Sequence, residues 1–161
     1  GLDRSFAAQR WSWLPSQVWA DECERAIDLE YHGDYDIWGG DVDPAAVELS
    51  KANAVKAGVE ELVRFEVADA TEFSPSEPKG RVVTNPPYGE RILERKEAEK
   101  LYAAFGRAWR KVPKGWSLYL LSSHTEFERT FGRSADKKRK LYNGMLKCDL
   151  FQYFERGEGK K

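Results

Sequence analysis

Cysteine, histidine and methionine are scarce in this 161-residue chain, which holds two, two and one of them respectively. Two thiols, Cys23 and Cys148, are too few for a disulfide framework or a cysteine-based zinc site. They read as inert core residues, and a reducing, cytoplasmic compartment is the expectation. His32 and His124 lack metal-ligand spacing, so no metal site is expected and neither histidine is assigned catalysis. Long apolar runs are also absent, and mean hydropathy is −0.68. Neither a membrane-spanning helix nor a secretory signal is therefore expected within the chain. The dinucleotide fingerprint G-x-G-x-x-G does not occur. Excess charge of either sign is missing too: 26 basic residues face 27 acidic ones, so global charge announces no nucleic-acid partner.

What is present suffices for one core, with 41% hydrophobic residues including eight Phe, seven Tyr and six Trp. The informative stretch is Asn85-Pro86-Pro87-Tyr88-Gly89, which follows the β-branched run Val82-Val83-Thr84. Such a run reads as a buried strand, and two prolines directly after it remove the ladder donors that would continue it. The turn that follows presents the Asn85 side-chain oxygen, the Pro86 carbonyl and the aromatic face of Tyr88. Together these can hold a planar amino group, two by accepting its hydrogens and one by stacking. An exocyclic amine on a base is a weak nucleophile because its lone pair is delocalised. Two acceptors on its hydrogens localise that pair toward an electrophile. The implied chemistry is methyl transfer from a sulfonium to an sp² nitrogen, carried by positioning and electrostatics without a dedicated base. A proline-locked turn at a strand end is the bland alternative.

Elsewhere strands and helices alternate. Pro15 starts a helix whose apolar spacing, Val18, Trp19, Cys23, Ala26 and Ile27, continues to about Tyr31 and suggests packing on a sheet. Asp36 to Asp43 reads as a strand ending in acids, with Pro44 opening a helix over 45–57 that Gly58 closes. Asp43 suits an N-cap. Asp41 has no such role, and an acid at that place in a nucleotide-binding α/β unit can accept from both ribose hydroxyls. Residues 62–67 form a third strand, followed by Asp69 and Ala70. Asp69 can accept from an adenine amino group while the Ala70 N–H donates to a ring nitrogen, or it can close an Asx-turn; both readings stay open.

A fourth strand runs over 81–85, and a helix over 90–112 follows with the stripe Leu101, Phe105, Ala108 and Val112. A strand over 116–121, a short helix near 126–131 and a hairpin turning at Asn143-Gly144 complete the chain. Residues 129–147 carry seven basic side chains (Arg129, Arg133, Lys137, Lys138, Arg139, Lys140, Lys147) against Asp136 alone. Such a run is either a solvated face or a phosphate-binding surface.

The chain resembles the catalytic domain of the bacterial 23S ribosomal RNA guanine-N2 methyltransferases, long labelled N6-adenine-specific DNA methylases. The match runs through Asp3-Arg4-Ser5-Phe6, Trp11-Ser12-Trp13, Gly40-Asp41-Val42-Asp43-Pro44, Asn53, Asp69, Asn85 to Arg91, and Lys137 to Gly144. Asn-Pro-Pro-Tyr by itself marks only amino-group methylation; the Gly89-Glu90-Arg91 extension and the basic Tyr142-Asn143-Gly144 hairpin make the match specific.

The resemblance implies a Rossmann-like class I α/β fold with a mostly parallel sheet, and S-adenosylmethionine as cofactor. Asp41, Asp43, Asp69, Ala70 and Asn85 would bind that cofactor, and Asn85 to Tyr88 would hold the target base. It also implies RNA as the partner, with DNA as the alternative, contacted by Arg91, Lys137, Lys138, Arg139, Lys140 and Asn143. Family members begin this domain with a strand and a glycine-rich loop, preceded by an RNA-binding module, and this sequence matches neither. Residues 1–161 are accordingly expected to be one partial methyltransferase domain, whose first strand comes from a preceding segment or a companion chain.

Overall fold

The structure, a computed structural model, describes residues 5–31, 33, 34, 36–89 and 92–154. In chain order the elements are a 3-10 turn (Ala7–Arg10), α1 (Ser16–Asp28), β1 (Ile37–Asp41), α2 (Pro44–Ala57), β2 (Val63–Val67), a second 3-10 turn (Ala70–Glu72), β3 (Lys79–Thr84), α3 (Ile92–Trp109), β4 (Gly115–Ser122), α4 (Phe127–Phe131), β5 (Lys137–Asn143) and β6 (Leu146–Tyr153). None of the helices among the described residues is long and apolar enough to cross a membrane. The chain forms two compact units. One runs to Gly39 and resumes over Asp43–Glu66; the other comprises Gly40–Val42 and the chain from Val67 onward.

In the first unit the ends of α2 follow from local chemistry. Asp43 accepts from the Ala45 N–H at 2.9 Å, Pro44 occupies the first turn, and Gly58 adopts φ 67° to close the helix. β1 and β2 pair, and their contacts advance together along both strands. Arg64 bonds Asp36, Trp38 Nε1 donates to Glu66, and the Ala68 N–H donates to the Asp41 carbonyl at 2.9 Å. That common direction makes the pair parallel, as the intervening helix requires. α1 ends at Asp28, three residues before the position that periodicity indicates, because Leu29 takes φ −90°, ψ 0° and closes the last turn. None of its residues is buried, and Val18 and Ile27 of the expected packing stripe are exposed.

The second unit holds the core. Its sheet has the order β3-β4-β6-β5, with β3 and β4 parallel and the remaining pairs antiparallel. Along β4 the alternation of a half-covered strand places Leu118, Leu120 and Ser122 in the interior. α3 covers that face with Ala98, Tyr102, Phe105 and Trp109, and α4 adds Phe127 and Phe131. Of the expected α3 stripe Phe105 and Ala108 are buried, while Tyr102 takes the inward place expected of Leu101, which is only partly buried. Val112 lies past the helix end. Aromatic contacts dominate, with Phe127 centred 4.5 Å from Phe151 and 5.0 Å from Tyr102.

α3 and α4 meet backbone to backbone at Gly106, where a Cβ would fall 2.0 Å from the Phe131 carbonyl oxygen. Gly106→Ala is expected to cost roughly 1–3 kcal/mol through forced separation of the two helices, despite the better helix propensity of alanine. Urea denaturation measures it, and an unchanged midpoint would contradict the close approach.

Candidate active site

β3 ends at Thr84, and the two prolines carry the chain out beyond the carboxyl end of the sheet. The turn doubles back at Gly89, whose φ of 68° and position against α3 both demand glycine. A Cβ there would stand 2.5 Å from the Arg95 Cα. Within the turn, the Tyr88 hydroxyl donates to the Asn85 side-chain oxygen at 2.5 Å. The Asn143 amide, from the end of β5, in turn donates to the Tyr88 oxygen at 3.5 Å. Burial pushes the Tyr88 phenol above its ordinary range, so it remains a donor at neutral pH. In this state Tyr88 caps the very oxygen that the sequence assigns to an incoming amine.

A buried chain of hydrogen bonds fixes the other side of the turn. Tyr102 donates its hydroxyl proton to the Pro87 carbonyl at 2.6 Å. With that proton committed, the 3.2 Å contact between Tyr102 and Ser122 must have Ser122 as donor. Ser122 Oγ also accepts from the His124 N–H at 3.1 Å. His124 Nδ1 accepts from the Glu126 N–H at 3.1 Å, so its proton sits on Nε2, 3.0 Å from Glu99 Oε1. The His124 contact, with Arg95 adding to it, holds the Glu99 carboxyl below the usual range. Burial raises Tyr102 and keeps it protonated.

Tyr102, Ser122 and His124 escape sequence reasoning as site residues. Tyr102 lies outside the apolar stripe read for its helix, and Ser122-Ser123-His124 reads as a plain strand end. The available signal is a tyrosine beside that stripe and a serine that ends the next strand.

The acids fall where the strand pattern puts them. Asp41 is the last residue of β1 and Asp69 follows the end of β2, and the Ala68–Asp41 backbone bond ties the two strand ends together. Asp43 is engaged as the cap of α2. Asp69 accepts from the Thr71 N–H at 2.7 Å, which lowers its pKa and opens the 3-10 turn at Ala70. Among the described residues no group of His, Cys, Asp and Glu could hold a metal ion, and both cysteines are free.

Three of the seven basic residues over 129–147 are tied into the fold, because acids just outside or within the run reach them. Arg129 pairs with Glu126 at 3.1 Å and Arg133 with Asp136 at 2.9 Å. Lys138 pairs with Glu128 at 2.6 Å while lying over the Phe151 ring, so its role is at least partly structural. Lys137, Arg139, Lys140 and Lys147 are exposed. Strand alternation puts Lys137, Arg139 and Asn143 on one face of the hairpin and Lys138, Lys140 and Tyr142 on the other. Arg91 lies outside the described residues.

A family model described as an RMKL-like methyltransferase domain matches residues 4–152. The Bacillus subtilis protein YpsC, named for RNA methyltransferase activity, is 36% identical over 160 residues, covering 97% of this chain and 40% of that protein. Ribosomal RNA large subunit methyltransferase K/L of Shewanella baltica is 37% identical over 153 residues, covering 92% of this chain and 22% of its own length. Among solved structures, SMU.472, described as a methyltransferase and crystallised with SAH, superposes with a TM-score of 0.86 at 38% identity, covering 99% of this chain and 42% of that one. The chain thus spans well under half the length of these relatives. The likeness shows the Rossmann-like class I methyltransferase fold, whose methyl donor is S-adenosylmethionine.

Proposed function

The chain belongs to the RMKL-like methyltransferase domain family, and on that premise we propose that it transfers a methyl group from S-adenosylmethionine to an exocyclic base amine, guanine N2 of large-subunit ribosomal RNA. The observation that carries this reading is the Asn85–Tyr88 turn, clamped through Pro87 and touched from the other side by the basic hairpin through Asn143. The rRNA methyltransferase K/L relative supports the choice of substrate.

The cofactor supplies an electrophilic methyl on a positively charged sulfur. Two carboxylates at the tied ends of adjacent parallel strands fit its nucleoside, Asp41 toward the ribose hydroxyls and Asp69 toward the adenine amine, with the Ala70 N–H beside it. Asp43 contributes by fixing the start of α2. Asn85 Oδ1 and the Pro86 carbonyl accept the two amine hydrogens, directing the nitrogen lone pair outward, and Tyr88 stacks on the base once it leaves Asn85. Bound S-adenosylmethionine would supply the methyl group to that nitrogen, and the amine would release its surplus proton to solvent.

Extruding a paired base costs a few kcal/mol. Stacking returns on the order of 1–3 kcal/mol, so net affinity falls to phosphate contacts. Lys137, Arg139, Lys140 and Asn143 on the hairpin, Arg91, and Lys138 to the extent that Glu128 releases it, would supply them.

The same reading holds that the domain is completed by a further strand beside β3. That strand stands at an edge of its sheet with Val83 80% exposed, unlike the doubly covered strands of parallel sheets.

The test is transfer of labelled methyl groups, with the proposed completing strand supplied, to purified large-subunit rRNA and to duplex DNA, followed by nucleoside analysis. N2-methylguanosine from rRNA is expected. Label in DNA adenine, or in neither substrate, would overturn the assignment.

A further inference from the structure

The tip of the β5–β6 hairpin carries apolar side chains that the fold does not use. Asn143 pairs with Leu146 as the last rung, which moves the turn one residue beyond the Asn143-Gly144 centre read from sequence and leaves Gly144 and Met145 as the two loop residues. Gly144 takes φ 61° and no other residue nearby has a positive φ, the pattern of a II′ turn with glycine first. Such a turn needs its glycine but makes no demand for methionine at the second position. Yet Met145, the single methionine of the chain, is 99% exposed there. Tyr142, on the rung below, is 73% exposed. Lys147 stands directly across from Tyr142, and Lys140 lies on the same strand face.

The position of this tip is also informative. Asn143, between Tyr142 and the turn, reaches Tyr88 of the catalytic turn. The tip that carries Met145 therefore stands next to the group that would receive an extruded base, with Tyr142, Lys140 and Lys147 on the strand face opposite to Asn143. An extruded nucleotide leaves an unfilled step in its duplex, and inserted apolar side chains are a general means of occupying such a step.

We propose that Met145 and Tyr142 form a wedge that enters the base-pair step vacated by the target nucleotide of an RNA duplex, with Lys140 and Lys147 on the adjoining phosphates. This rests on the RNA reading above and assigns it a second contact surface. Lys140 and Lys147 supply sequence-independent affinity, whereas Met145 and Tyr142 act only where the stack is open.

The test compares binding of the 161-residue chain to an intact RNA duplex and to the same duplex with one internal abasic nucleotide, by fluorescence anisotropy at low salt. In the abasic duplex the unstacking is already complete. The chain should bind it about tenfold more tightly, and Met145→Ala and Tyr142→Ala should each erode that preference while leaving intact-duplex affinity in place. Lys140→Ala and Lys147→Ala should weaken both complexes alike and reduce their salt dependence. Because both wedge side chains are exposed, their replacement leaves thermal stability unchanged, which separates the effect from misfolding. Equal affinity for the two duplexes would overturn the wedge while leaving the RNA reading intact. Absence of binding to either duplex would overturn the RNA reading, and the wedge with it.

Discussion

Asn85→Ala is expected to lower the rate of methyl transfer by about 10²- to 10³-fold, the usual loss when one preorganised polar contact to a reacting group is removed. Asn85 is exposed and its side chain bonds only Tyr88 among the described residues, so the fold should be indifferent to the change. Its oxygen is one of two acceptors available to the amine. Without it, one hydrogen of the amine remains undirected and the lone pair stays largely in the ring. The loss should appear in kcat more than in the KM for RNA, because the proposed reading leaves the holding of the nucleic acid to phosphate contacts rather than to Asn85. Steady-state kinetics with labelled cofactor measures the split, and unchanged turnover would remove Asn85 from the site.

The 2.5 Å bond between Tyr88 and Asn85 adds a step to this account. On the proposed reading, a base that enters the turn displaces the Tyr88 hydroxyl from the Asn85 oxygen, and the phenol is a placeholder for the amine. It satisfies the acceptor while the site is empty, and its release leaves the ring free to stack. The exchange is close to balanced in hydrogen bonds, which keeps the cost of opening low.

Most of the fold was legible because its signals are local. Prolines ended β3, the Asp43-Pro44 pair opened α2, and Gly58 closed it, each by constraints that act within a few residues. Candidate acids at strand ends were equally visible, since the strand period fixes where a carboxylate emerges. What sequence did not display were properties of packing. The burial of Tyr102 involves partners distant in sequence: its ring packs on Phe127 of α4, the helix that Gly106 admits at backbone distance. The pairing of Lys138 with Glu128 spans ten positions from one element to the next. A count of charges within a window could not anticipate it. The hairpin turn slipped by one residue because an Asn-Gly pair suits a I′ turn, whereas the rung between Asn143 and Leu146 selects the II′ alternative.

Tyr102→Phe should slow methyl transfer by about 10- to 100-fold, although Tyr102 is buried behind the turn. Its hydroxyl is the donor that holds the Pro87 carbonyl, at 2.6 Å, and it sits in a fully buried ring. Phenylalanine fills the same volume, so the core around Phe127 persists. The Pro87 carbonyl and Ser122 then lose a partner, a penalty of about 1–3 kcal/mol for a buried polar group left unsatisfied. The larger consequence is positional. Asn85 and the Pro86 carbonyl are set by a turn anchored at Pro87, and displacement by about 1 Å can cost on the order of 10²-fold in rate. A kcat loss with little change in the KM for RNA, together with faster amide exchange at Tyr88 and Gly89, would show Tyr102 to be a positioning residue. Ser122→Ala, which leaves the Tyr102–Pro87 bond in place, should give a smaller kcat loss than Tyr102→Phe. A Tyr102→Phe variant with reduced stability but undiminished kcat would mean that the buried network serves the core and leaves the catalytic turn to hold itself.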